Sequence, residues 1–196
     1  MQETNELEMI AQIRNKVKGT MEPTGENLFL VWGYPTAFFL LLEFVAFMLF
    51  HEEWCEWIWI GIPVVGAPLM VHYLKIDYER TGHRTLEQNA VLQMWIFVGC
   101  VSGIGGFAMG FAGLYWICFF TFLSLLSSMG CFLTGVVLRF TPTVVCGIIA
   151  TVLSFVPLFL QGDLWLWQLP VTALVFIIAL IIPGHMFKKY VKNYGI

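Results

Sequence analysis

The chain has 196 residues, of which 59% are hydrophobic and only 12% charged, with a formal net charge of -3. Ordinary soluble domains carry about 25% charged residues, and a soluble core of this size has no room for so much apolar surface, so the composition belongs to the polytopic membrane class. With no basic stripe outside the short tails, nucleic acid is excluded as a partner.

The start is acidic (Glu3, Glu6, Glu8), and the first apolar run begins only at Leu28 with no small-x-small cleavage pattern, so no signal peptide is expected. Leu7, Ile10, Ile13 and Val17 recur at near-helical spacing, with Arg14, Lys16 and Lys18 near the far end. Residues 1–24 therefore read as a cytoplasmic amphipathic segment lying on the interface, broken by the run from Glu22 to Gly25.

Leu28 to Phe50 is a 23-residue run with one charge, Glu43. At about 1.5 Å per residue it rises roughly 34 Å, enough for the ~30 Å hydrocarbon core of a bilayer. Further spans are expected at about 58–73, kinked by Pro63 and Pro68, then 89–110, 113–140, 142–160 and 165–182. Span four reads as long and tilted, and Pro183-Gly184 should end the last helix. The predicted fold is all-α: a bundle of six transmembrane helices in three hairpins occupying residues 25–185, followed by a basic cytoplasmic tail at 186–196.

All ten Lys and Arg fall on one side of this topology, and the opposite loops hold Glu52, Glu53, Glu56 and Asp163 with a belt of Trp. By the positive-inside rule both termini are cytoplasmic.

Glu43 is the sharpest candidate residue. It stands four positions past the middle of span one, where a charge costs on the order of 3 kcal/mol, so a neutral carboxyl with a hydroxyl partner is expected. Counting the same depth along the other spans places it level with Ser102, Thr121, Thr151 and Thr172. Glu43, Ser102 and Thr121 form the candidate intramembrane site, read either as a proton or cation relay or as a bond holding two helices together.

Gly99, Gly103, Gly106 and Gly110 share one face of span three, and Thr121, Ser124, Ser128, Cys131 and Gly135 share one face of span four. Small residues let helices approach closely, and the direct reading is a packing seam between these two spans. The five cysteines form no CxxC pair, the His-Glu-Glu run at residue 51 lacks metal-ligand spacing, and no GxSxG or phosphate loop occurs. No catalytic residue, cofactor or metal is expected.

Val31-Trp32-Gly33-Tyr34, Leu138-Arg139-Phe140-Thr141-Pro142 and Ile181-Ile182-Pro183-Gly184-His185 together make the chain resemble a family of small bacterial six-span integral membrane proteins. The resemblance covers most of the chain and implies an inner-membrane location without an activity. The residues lead to a non-enzymatic interaction or regulatory membrane component, whose partners are the lipid bilayer and another membrane or regulatory protein or a second copy. The rival is a small transporter or channel with Glu43 as its intramembrane site.

Overall fold

The computed structural model describes residues 24–81, 86–112 and 115–193, and every element among them is a helix. Six stretches are long and apolar enough to cross a membrane: Leu28–Phe50, Trp54–Ile76, Leu86–Met109, Cys118–Val137, Thr141–Phe159 and Gly162–Tyr190. The protein is thus an all-α, multi-pass membrane chain. The amphipathic segment expected at the start lies, apart from Thr24, outside the described residues.

Span one is a single helix, α1 (Thr24–Phe50), that accommodates Pro35. It stops at His51, whose φ of 54° turns the chain while its N–H bonds the Phe47 carbonyl at 3.2 Å. Span two begins as a tight 3₁₀ segment, Glu53–Ile60, and continues as α2 (Gly61–Thr81), several residues beyond the expected end at Tyr73. Phe39 and Trp32 of α1 cover Gly61 and Gly66, and the Trp32 indole donates to the Met70 sulfur at 3.2 Å.

Span three is α3 (Leu86–Phe111) and span four is α4 (Tyr115–Val137), which runs unbroken through Gly130. Span four is shorter than its apolar run because the helix closes at Arg139. That residue takes φ 52°, and the Phe140 N–H returns to the Gly135 carbonyl while the Arg139 N–H reaches Val136. This is a Schellman closure with an arginine at the position glycine usually fills.

Span five is α5 (Thr141–Leu153), with Pro142 in its first turn where the missing N–H costs nothing, followed by a 3₁₀ turn at Val156–Phe159. Span six departs most from expectation. It opens with a 3₁₀ segment, Gly162–Trp167, becomes α6 (Gln168–Phe176), widens into a π turn at Ile177–Ile181, and continues as α7 (Ile182–Asn193). Pro183-Gly184 therefore does not end the helix. The π turn just ahead of Pro183 absorbs the lost N–H, and Gly184 lets the backbone approach Leu30 and Phe29 of α1, so the tail from 186 to 193 extends the span.

The tightest helix pair is α4 with α5. A Cβ on Gly147 would stand 2.7 Å from the Phe132 backbone nitrogen, and one on Gly135 would stand 2.6 Å from that of Val144. Span six lies between α1 and α4, with Leu169, Val175 and Ala179 fully buried. In contrast, α2 rests on α1 and its flanking turn, and α3 rests chiefly on α4. These two outer spans bury less of themselves than the other four.

Candidate functional site

The buried stripe of α1 carries Phe29, Trp32, Thr36, Leu40, Glu43 and Phe47. Eleven residues advance a helix by about three full turns, so Glu43 shares its face with Trp32. Its side chain is 2% exposed, and its Oε2 has no hydrogen-bond partner among the described residues. The opposite wall can be read from the register of α1 against span six. Gly33 meets Leu180 and Ile181, Phe44 lies 5.5 Å from Trp167, and Phe47 lies 5.2 Å from Trp165. The two therefore run antiparallel, which brings Glu43 level with the first turn of α6, Gln168 to Thr172.

Both ends of that turn are buried and polar. The Gln168 amide nitrogen donates to the Leu160 carbonyl, whereas Gln168 Oε1 and Thr172 Oγ1 find no partner among the described residues. Glu56 lies on the 3₁₀ segment folded against α1. Gln168 Oε1 and Thr172 Oγ1 are thus unused acceptors on the helix that packs against α1, and neither is hydrogen-bonded to the Glu43 carboxyl oxygen Oε2. Thr172 was legible from depth counting, but Gln168 was not: its position beside Trp165 and Trp167 reads as an interfacial edge.

The other candidates lie elsewhere. Ser102 lines a partly open cavity of about 390 Å³ bordered by spans one, two, three, four and six, whereas neither Glu43 nor Thr121 lines it. The walls are mainly aromatic and apolar, from Trp32, Trp59, Met70, Trp95, Phe119 and Phe176, with Thr36, Ser102 and Ser127 as hydroxyls. Thr121 is buried on α4, its hydroxyl without a partner among the described residues.

The two small-residue stripes also separate. On α3, Phe122 and Phe119 of α4 cover Gly105 and Gly106, but a Cβ on Gly99 or Gly103 would meet nothing within 4 Å, and both line the cavity. The α4 stripe closes on α5 and not on α3. Ser128 donates to the Ser124 carbonyl at 2.7 Å and lies 3.2 Å from Ser154 Oγ, Cys131 Sγ reaches the Thr143 carbonyl at 3.5 Å, and Gly135 abuts Val144. Besides those phenylalanines, the Trp95 indole joins α3 to α4, donating to Thr134 Oγ1 at 3.0 Å and lying over Gly130. Helical spacing showed which residues share a face but not which neighbour stands opposite. Gly110 lies at the end of α3, and its surroundings are not among those described.

Among the described residues, no three His, Cys, Asp or Glu are grouped as metal ligands. No protein-family model, no curated protein and no solved structure matches the chain. The resemblance to small bacterial six-span proteins rests on the three sequence landmarks alone.

Proposed function

We propose that the chain is a non-enzymatic component of a bacterial inner membrane, its six spans forming three hairpins with both termini cytoplasmic, and that it works by binding a transmembrane helix of another protein. The observation that carries this reading is the open ground at Gly99 and Gly103. Glycines four apart on a membrane helix allow a second helix to approach closely, and among the described residues nothing lies within 4 Å of a Cβ built at either. Around them Ile96, Phe97, Ile104 and Phe107 are exposed.

The test is a photoreactive residue at Ile104 in native membranes, alone and combined with Gly99→Leu and Gly103→Leu. One discrete protein adduct is expected, and it should disappear in the leucine variants while the purified chain keeps its unfolding midpoint. Crosslinks to lipid only would end this reading, and an adduct of twice the chain mass would identify the partner as a second copy.

The transport reading is motivated by the buried Glu43 carboxyl and by the buried, unused acceptors of Gln168 and Thr172 on the helix packed against α1. It requires water at that depth. Glu43→Cys in a background lacking the five native cysteines should resist membrane-impermeant thiol reagents from both sides. Labelling from either side would displace the interaction reading in favour of transport.

A further inference from the structure

A second recess lies on another face of α1, away from the Trp32, Thr36 and Glu43 stripe. It is a groove of about 640 Å³, open along one side, between α1, α2 and the end of span six. Its composition is graded along its length. Phe38, Phe39 and Val65 line the part toward the middle of the bundle, whereas Tyr73 and Lys188 stand at the end where span two finishes and span six leaves the apolar region. Tyr34 lies between, its hydroxyl held 2.6 Å from His185 Nε2. None of the described lining residues is acidic.

We propose that this groove seats one anionic glycerophospholipid, with its phosphate at the Lys188 ammonium and an acyl chain between α1 and α2. A transmembrane helix would not fit as well. The glycines that could give a helix close access here are already covered, Gly66 by Trp32 and Gly33 by Leu180 and Ile181, so the floor is side chain and not backbone. An acyl chain needs only a narrow apolar channel, and the groove supplies one whose mouth carries the Lys188 ammonium and the Tyr73 phenol at the headgroup level. The site differs from general attraction of a basic tail to the membrane because it singles out Lys188 from its exposed neighbour Lys189, which does not line the groove.

Native mass spectrometry of the full chain released from nanodiscs of equal phosphatidylglycerol and phosphatidylcholine tests this. One retained phosphatidylglycerol is expected. Lys188→Gln should lower its retention about fivefold, the factor given by the free energy of one juxtamembrane lysine, while Lys189→Gln leaves it nearly unchanged. Leu69→Trp, which narrows the groove, should reduce retention of both lipids. Equal retention of the two lipids by the unmodified chain, equal losses in the two lysine variants, or no loss on Lys188→Gln would each overturn the proposal. Lys188 is exposed and its replacement removes no packing, so misfolding does not confound the comparison.

Discussion

Glu43 is held in a place where a carboxylate could not comfortably be charged. It is 2% exposed, its Oε2 is unpartnered, and it makes no ion pair with Lys or Arg among the described residues. A carboxyl that is neutral in the folded protein is closely mimicked by an amide. Glu43→Gln should therefore change stability by less than about 1 kcal/mol, whereas Glu43→Lys should lose about 3 kcal/mol or fail to insert. Unfolding titrations in mixed micelles would separate the two, and a large loss in Glu43→Gln would mean that an ionised carboxylate is needed. The sequence exposed this residue plainly because it is the one charge in an apolar run. It could not supply Gln168, since an uncharged side chain near a Trp pair has the same appearance whether it faces water or a neighbouring helix.

At the scale of the helices, the glycines divide into filled and open positions, and substitution should read the difference directly. Gly147→Ala forces a methyl group against the Phe132 backbone and should cost about 2 kcal/mol, in the range of overpacked cores. Gly99→Ala meets nothing and replaces a poor helix former with the best, so it should be neutral or stabilising by up to about 1 kcal/mol. The closure of α4 offers a third case. Arg139 holds a left-handed conformation that glycine adopts without strain, so Arg139→Gly should raise stability by roughly 0.5–1 kcal/mol. Equal effects at Gly147 and Gly99 would show that the two faces are packed alike, contrary to the geometry. The span-six helix that continues past Pro183-Gly184 teaches a related lesson. A proline-glycine pair usually ends a helix, but one extra residue in the preceding turn can relieve it, and no local sequence signal marks that turn.

The whole molecule is a core of α1, α4, α5 and span six with α2 and α3 leaning on its sides. Local stability follows buried contact, so the outer spans should open first. In hydrogen exchange with rising dodecyl sulfate in mixed micelles, amides of α2 should lose protection before those of α4 and α5. Simultaneous release would indicate a single cooperative bundle. The arrangement also separates three features: the buried Glu43 carboxyl on span one, the glycines of span three that line a cavity, and the open groove between spans one and two and the end of span six.

Apolar runs long enough to cross a bilayer determined the membrane class and the number of spans, because burying backbone in hydrocarbon leaves a long chain few options but the helix. The same runs made Glu43 conspicuous. Only the tertiary structure decided that the α4 stripe closes on α5, that Gly99 and Gly103 line a cavity, and that Gln168 stands buried at the level of Glu43. Those facts depend on which helix lies opposite a given face. Small residues at intervals of three and four create a smooth surface wherever they occur, and the choice of partner is made by the packing of the entire bundle.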